Sequence, residues 1–390
     1  MVMAMVGCGN TDNGSAATGT NAATESAAAS DSAASGSVFK IGGIGPTTGG
    51  AAVYGLAVQH GAEIAVEEIN AAGGINGYQV EFKFQDDEAD AEKSVNAYNA
   101  LKDWGAQIID GSTTSGACIA VTDKTKEDNM FQITPSGSAV ECVQYDNNFR
   151  VCFSNPNQGL ASAQYIGENG LAEKIAVIYD SSDVYSSGIY EKFAKEAENQ
   201  PFEIVAAEAF TADNKTDFSV QLQKAKDAGA DMVFLPIYYQ ESALILTQAA
   251  AMGYAPKWFS CDGMDGILGG VDNFDVSLTE GVMLLTPFAA DATDDLTQSF
   301  VTKYKEKYGD TPNQFAADSY DAIYVIKAAI EKSGVTPDMS VSDICDGMKA
   351  AMTEITVDGL TGNGMTWTAD GEANKAPKAV VIENGAYKAM

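Results

Sequence analysis

Side chains able to perform acid–base or metal chemistry are scarce in this 390-residue sequence. It contains one histidine, His60, and one arginine, Arg150. Histidine serves most metal sites and many acid–base sites, and anion clamps favour the arginine fork. The chain has no CxxC motif, no Cys/His cluster at metal spacing, no GxSxG elbow and no GxxxxGK[ST] loop. We therefore expect no catalytic residue, no metal and no cofactor, and we interpret His60 as structural.

Two segments could instead bind charged groups of a small molecule. Residues 112–116, Ser-Thr-Thr-Ser-Gly, follow a predicted strand and begin a helix, where hydroxyls and N–H groups suit an anion. Asp262 precedes Gly263 at the end of another predicted strand, where a carboxylate can face a cleft and bond to an ammonium. Helix capping is the alternative for the hydroxyls, and we favour it for Ser115. Asp262 could also be a solvated loop residue.

Charge and the amino-terminal composition restrict the partners of the protein. The formal net charge is −31, so nucleic acid and anionic lipid are excluded as partners. Residues 5–8, Met-Val-Gly-Cys, resemble a bacterial lipobox in which Cys8 is lipidated; an apolar start with an incidental cysteine is the alternative. The Ser/Ala/Thr-rich stretch that follows cannot bury enough apolar surface to order, so residues 1–37 predict a signal remnant and flexible tether. The membrane is then contacted only through a lipid anchor.

The remaining cysteines are odd in number, and an extracytoplasmic location permits disulfides between them. They are Cys118, Cys142, Cys152, Cys261 and Cys345. We favour a Cys118–Cys142 disulfide, with Cys142–Cys152 as the rival, although spacing alone does not determine connectivity.

From residue 38 onward, short apolar or β-branched runs alternate with amphipathic helical stretches. This rhythm runs twice, over about 38–155 and 157–286, and it predicts two doubly wound parallel sheets with helices on both faces. Predicted strands are 38–44, 80–84, 107–109, 130–133, 175–179, 203–206, 232–235, 258–260 and 282–285, with a closing strand pair over 379–387. Predicted helices are 57–71, 91–104, 159–169, 188–199, 218–228, 241–252, 295–308 and 316–332.

Four segments carry a resemblance to a known family. They are the Ile-Gly-Gly-Ile-Gly-Pro run at 41–46, the Asn-Ala-Ala-Gly-Gly-Ile-Asn-Gly run at 70–77, Thr-Pro-Ser-Gly-Ser at 134–138 and Asp-Val-Tyr at 183–185. The chain resembles the branched-chain amino-acid (leucine/isoleucine/valine) binding proteins, which are type I periplasmic-type solute-binding lipoproteins of ABC importers. The resemblance covers essentially all of residues 38–390.

The resemblance implies two lobes joined by three hinge crossings, near 154–158, 286–289 and 362–366. Lobe I would comprise residues 38–155 plus 287–363, and lobe II residues 156–286 plus 364–390. A ligand would bind in the cleft between them.

The resemblance also implies residues that hold the carboxylate of an amino-acid ligand. Thr113 matches the family's carboxylate-binding hydroxyl. Ser136, Gly137 and Ser138 match a second ligand-binding loop, in which Ser138 keeps the hydroxyl.

The other matched residues belong to the ammonium end and the walls of the site. Asp262 aligns with the glutamate that pairs with the ligand's α-amine, with a shorter side chain. Tyr54, Tyr185 and Tyr238 match aromatic walls, and Tyr239 replaces Tyr238 if the alignment slips by one residue.

The function implied is capture of a small amino acid, with an aliphatic or branched chain favoured, and its delivery to the membrane subunits of an ABC permease. We expect a monomer that catalyses no reaction. A receptor for an amide, urea or carboxylate, and a sensory ligand-binding protein, are the alternatives.

Overall fold

The computed structural model describes residues 36–390 of the chain. Cys8, the predicted lipidation site, and the tether up to residue 35 lie outside the described residues. None of the helices described is both long enough and apolar enough to cross a membrane.

The first sheet consists of five parallel strands in the order β2-β1-β3-β4-β5. They are β1 (Phe39–Gly45), β2 (Val80–Asp86), β3 (Ile108–Asp110), β4 (Phe131–Thr134) and β5 (Asn148–Arg150). The central strands β3 and β4 are buried along their whole length, as expected where helices cover both faces of a parallel sheet.

The second sheet has seven strands in the order β12-β11-β10-β9-β8-β6-β7. They are β6 (Lys174–Asp180), β7 (Glu203–Phe210), β8 (Met232–Leu235), β9 (Lys257–Ser260), β10 (Met283–Thr286), β11 (Lys378–Glu383) and β12 (Ala386–Ala389). Strands β6 to β10 pair in parallel, and the β11–β12 hairpin adds to β10 in antiparallel orientation. The two predicted parallel-sheet lobes and the closing strand pair are confirmed.

Ten α-helices connect the strands in the described part of the chain. They are α1 (Ala52–Ala71), α2 (Ala91–Trp104), α3 (Ser115–Glu127), α4 (Asn155–Glu168), α5 (Val184–Ala197), α6 (Ser219–Asp227), α7 (Tyr239–Ala251), α8 (Asp295–Tyr308), α9 (Gln314–Ser333) and α10 (Val341–Met352). Helix α10 and strand β5 are absent from the predicted elements. The Ser340 side chain caps α10 and Ile344 and Met348 are buried on one face, so a cap followed by four-residue spacing was the missed signal.

Close packing of α1 on α9 joins two distant parts of the chain within the first lobe. A Cβ atom at Gly61 would lie 2.0 Å from the Ala316 carbonyl oxygen, so only glycine allows this approach. The approach brings the amino-terminal ends of α1 and α9 toward the same edge of the sheet, which is where the candidate site lies.

The chain passes between the two sheets after β5, after β10 and before β11. Residues that precede β11 contact the first lobe. The Trp367 indole donates to the Arg150 carbonyl at 2.7 Å, and Lys375 pairs with Asp318 of α9. We therefore place the third crossing, predicted near 362–366, after Lys375. We propose that the boundary between the lobes lies there and not between residues 363 and 364.

All five cysteines of the described chain are buried free thiols, so neither expected disulfide is present. Cys118 and Cys142 share a small apolar cluster with Ala139, which explains why their positions suggested a pair.

Asp110 is a buried carboxyl group at the end of β3. Its Oδ2 accepts a hydrogen bond from Ser319 Oγ at 3.1 Å, while Oδ1 has no partner among the described residues. Burial raises the pKa of Asp110 from 3.8 to about 8, because the charged form is poorly solvated there.

We expect the stability of the unliganded protein to fall as the pH rises from 5 to 8. A carboxyl group whose pKa is raised by folding stabilises the protein fully below its unfolded pKa, and that contribution is lost as the pH rises through the folded pKa. Since a pKa difference of one corresponds to about 1.4 kcal/mol, a loss of about 2–4 kcal/mol is expected from this group. Denaturant unfolding at several pH values measures it.

Asp110→Asn keeps an acceptor for Ser319 and removes the titration, so its stability should depend less on pH. Glu81→Gln removes an exposed carboxylate and serves as the control. Identical pH dependence in Asp110→Asn and the parent protein would contradict the assignment.

Candidate ligand-binding site

A central cavity of about 10 Å³ lies between the lobes and is lined by residues of both. Its volume accommodates about one water molecule. The lining residues are Tyr54, Thr113, Thr114, Ser115, Ser136, Tyr185, Tyr238, Asp262, Gly263 and Phe315.

Six of the eight ligand-binding residues predicted from the sequence line this cavity. Gly137 and Ser138 do not line it, but they are buried in the adjoining loop after β4. Phe315 was missed, although Asn313 caps α9 and marks the helix start that carries Phe315 to the cleft. Which of these residues contact a ligand remains a prediction.

Hydroxyl groups cluster where α3 begins, but most are already engaged. Thr113 Oγ1 donates to the Ile44 carbonyl at 3.2 Å, and Ser136 Oγ donates to the Thr113 carbonyl at 2.6 Å. Thr114 Oγ1 and Ser138 Oγ are buried without any described partner. In this conformation the hydroxyl hydrogens of Thr113 and Ser136 are already donated, whereas those of Thr114, which lines the cavity, and Ser138, which lies in the adjoining loop, are available.

Ser115 has a different role from the capping role favoured for it. The N-cap of α3 is Thr114, and its side chain makes no capping bond. Ser115 Oγ accepts from the backbone N–H groups of Ser138 and Ala139, at 3.2 and 3.1 Å. Ser115 thereby joins the start of α3 to the loop after β4.

Asp262 follows β9 and lies buried at the centre of the cleft. Its Oδ1 accepts from the Tyr185 hydroxyl at 2.6 Å, and its Oδ2 accepts from Gln158 Nε2 at 3.0 Å. Both donors are neutral, and no described residue forms an ion pair with this carboxylate. The adjacent Gly263 is required, since a Cβ atom there would lie 2.6 Å from the Tyr185 hydroxyl oxygen.

The electrostatic surroundings of Asp262 disfavour its ionised form. Burial raises its pKa from 3.8 to about 7, and the nearby carboxylate of Asp318 adds to the increase, while the bonds from Tyr185 and Gln158 oppose it. Lys375 does not relieve this, because its ammonium pairs with Asp318 at 2.6 Å. A bound cation would stabilise the ionised form of Asp262.

Aromatic side chains close the remaining sides of the cavity. Tyr238 lies with its ring centroid 5.4 Å from that of Tyr54 and 5.1 Å from that of Tyr185. Phe315 packs against Tyr54 at 4.4 Å. The Tyr54 hydroxyl donates to the Gly263 carbonyl, so a first-lobe side chain bonds directly to the second lobe.

His60 lies away from the cavity, between α1 and α8. Its ring stacks on Tyr308 with centroids 3.6 Å apart, and its Nδ1 lies 3.2 Å from the Tyr304 hydroxyl.

Residues 38–386 match the family described as periplasmic binding protein. The chain belongs to this family. A Leu/Ile/Val-binding protein homolog of Brucella melitensis is 30% identical over 300 residues, which cover 76% of this chain and 80% of the relative. The leucine-, isoleucine-, valine-, threonine-, and alanine-binding protein of Pseudomonas aeruginosa is 30% identical over 302 residues, 76% of this chain and 78% of that protein.

Solved structures share the architecture of this periplasmic binding protein. LivJ of Streptococcus pneumoniae, a branched-chain amino-acid transporter substrate-binding protein crystallised with isoleucine, superposes with a TM-score of 0.81 at 28% identity. The leucine-binding protein LivK of Thermotoga maritima gives 0.79 at 27% identity. Each alignment covers 90% of this chain and 98% of the other. The type I periplasmic-binding-protein fold is confirmed.

The single arginine of this periplasmic binding protein supports the loop after β4 instead of binding an anion. Arg150 is fully buried; its Nη1 donates to the Gly137 carbonyl at 3.1 Å and its Nη2 to the Ala139 carbonyl at 2.8 Å. Glu372 lies 3.4 Å from its Nε. The planar guanidinium donates to three backbone carbonyl groups, the third being that of Val140 at 3.4 Å, so one side chain positions the loop that carries Ser138.

We expect Arg150→Lys to destabilise the protein by on the order of 3 kcal/mol, because a buried ammonium cannot satisfy acceptors arranged for a planar fork. Equilibrium unfolding measures the loss. Lys349→Arg, a reverse exchange at a more exposed lysine, is the control and should change stability little. Unaltered stability of Arg150→Lys would show that the fork geometry is dispensable.

Proposed function

We propose that this periplasmic binding protein captures a free amino acid in the cleft between its lobes and delivers it to an ABC permease. The buried carboxylate of Asp262, which has only neutral donors around it, carries the proposal. An α-ammonium group is the cation that an amino-acid ligand would supply.

The opposite side of the cavity suits the ligand's carboxylate. The first N–H groups of α3 have no partner within the helix, and the helix dipole favours negative charge at this end. The free hydroxyls of Thr114 and Ser138 add two donors close to these groups. A carboxylate bound here would be neutralised by dipoles, which explains how the site can work without an arginine.

The walls between the two ends favour an aliphatic stem. Tyr54, Tyr185, Tyr238 and Phe315 present ring faces and edges, and aromatic surfaces pack well against methylene and methyl groups. The relatives named for binding leucine, isoleucine and valine agree with this preference.

Ligand entry requires the lobes to separate. The central cavity holds about 10 Å³ in this conformation, and the Tyr54–Gly263 hydrogen bond crosses the cleft. Opening at the three crossings would break that bond and admit the ligand, and closure would exclude water and strengthen the ammonium–carboxylate attraction. The closed form would then present both lobes to the permease.

We also propose a cellular setting for this activity, in which a lipid on Cys8 holds the folded part outside the membrane, close to its permease. We propose that the protein acts there as a monomer and without catalysing a reaction, since its site brings together one carboxylate, hydroxyl groups and aromatic walls.

We expect Asp262→Asn to weaken leucine binding strongly. Removing one member of a buried charge pair costs about 2–5 kcal/mol, which corresponds to roughly 30-fold or more in Kd. Asparagine keeps the size of the side chain and an acceptor for Tyr185. Isothermal titration calorimetry gives the affinity.

Two controls belong to this experiment. Asp272→Asn removes an exposed carboxylate of the same lobe and should leave the affinity unchanged. The deaminated analogue 4-methylpentanoate should bind weakly to the parent protein and show no further loss in Asp262→Asn. If leucine binds both variants equally well, Asp262 does not hold the ammonium.

We expect leucine affinity to fall as the pH is lowered from 8 to 5. The ammonium binds the ionised carboxylate, and Asp262, whose pKa is raised to about 7, is increasingly protonated below that pH. The affinity should decrease by up to about tenfold for each pH step of one below 7. The same titration on Asp262→Asn should be nearly flat; a parallel decline in both proteins would assign the pH dependence to other groups.

A further inference from the structure

A second cavity of about 310 Å³ adjoins the central one, and we call it the vestibule. Thr114 and Tyr238 line both cavities, so the two are neighbours across these side chains. Its lining also includes Glu88, Asp180, Asp183, Phe210, Lys215 and Glu241.

The central cavity leaves little room for a side chain once both ends of an amino acid are bound. Its aromatic walls are already in mutual contact, and its volume is about 10 Å³. The volume of the vestibule is about thirty times that of the central cavity. A side chain that extends past Thr114 and Tyr238 would enter this space.

The vestibule carries two carboxylates without a cationic partner. Four acidic side chains and one lysine line it, but Glu88 pairs with Lys93 at 2.5 Å and Lys215 pairs with Glu241 at 3.0 Å. Asp180 accepts from the N–H and hydroxyl of Ser182, and Asp183 accepts from the Tyr185 N–H. No described residue forms an ion pair with Asp180 or Asp183.

The surroundings of Asp183 disfavour its ionised form. Burial, with smaller contributions from the carboxylates of Asp180 and Glu241, raises its pKa from 3.8 to about 6, and the hydrogen bond from the Tyr185 N–H opposes the increase. Asp183 is the N-cap of α5, where the helix dipole tolerates negative charge, and Asp180 is the last residue of β6. The remaining unbalanced charge favours a cation.

Thr114 connects the vestibule with the central cavity through a polar atom that has no partner. Its residue is 6% exposed, and its Oγ1 makes no hydrogen bond to any described residue. A ligand that passes from one cavity into the other would meet this hydroxyl. Apolar contact for a methylene stem is available from Phe210 and Ile237, which are both buried.

We propose that the vestibule is a side-chain subsite for a long aliphatic stem ending in a cation, as in lysine, ornithine or arginine. The inference rests on the proposed function, because the amino acid's two charged ends must be held centrally for its side chain to point this way. The cation then lies against Asp180 and Asp183, while the stem packs on Tyr238 and Ile237. Branched-chain amino acids would use the first part of this path only.

Lysine and norleucine test the proposal because they differ only in the terminal ammonium. We expect the parent protein to bind lysine at least about tenfold more tightly than norleucine at 0.15 M salt, which is a modest value for one partly buried charge contact. Calorimetric titration of both amino acids, with ornithine and arginine as a length series, gives the comparison.

Asp183→Asn separates the charge from the structural role of this residue. Asparagine caps a helix as well as aspartate does, so α5 and Tyr185 should keep their positions. Lysine affinity should fall by about tenfold in Asp183→Asn and reach that of norleucine in the Asp180→Asn/Asp183→Asn double variant, while norleucine affinity stays within about twofold. Asp272→Asn, an exposed change in the same lobe, should alter neither.

Failure of this inference is distinguishable from failure of the proposed function. Tight binding of leucine and norleucine with equal or weaker binding of lysine would overturn the vestibule subsite and leave amino-acid capture standing. An unchanged lysine preference in the double variant would also overturn it. Absence of binding for every amino acid tested would refute the proposed function and the subsite together.

Discussion

A buried carboxylate without a cationic partner is the constraint around which the cleft is arranged. Asp262 lies between the lobes, and its bonds come from a tyrosine hydroxyl and a glutamine amide, both neutral. Such an arrangement holds the carboxylate in position but leaves its charge uncompensated, which is why its pKa is raised to about 7. Lys375, the nearby lysine, is retained by Asp318. Under the proposed function, the ligand's ammonium group would compensate this charge.

The sequence has one arginine and one histidine, so helix dipoles and hydroxyl groups are the groups available to bind an anion. The only arginine in the sequence, Arg150, is used to hold the carbonyl groups of the loop after β4. Under the proposed function, binding of the ligand's carboxylate would consequently depend on the start of α3 and on two unpartnered hydroxyls. Dipoles of this kind can neutralise a carboxylate without placing a second full charge beside Asp262.

The doubly wound topology explains why these groups meet. In both sheets the loops that follow parallel strands lie at one edge, and the two edges face each other across the cleft. Residues after β3, β4 and β9 therefore converge although they are far apart in sequence. The α1–α9 contact at Gly61 adds Tyr54 and Phe315 to the same place.

The sequence by itself determined the alternation of strands and helices and the two-lobe architecture, because periodicity is a local property. Six of the residues that line the central cavity were implied by the resemblance to the family. Strand β5 was not predicted because it is only three residues long, whereas helix α10 was overlooked although its cap and the spacing of Ile344 and Met348 mark it. Only the tertiary structure decided which hydroxyls are free, since the donors of Thr113 and Ser136 are used by carbonyl groups from other segments. It also decided the state of the cysteines, the position of Phe315 and the existence of the vestibule. Each of these depends on distances between segments that are remote along the chain, and no spacing in a sequence encodes such distances.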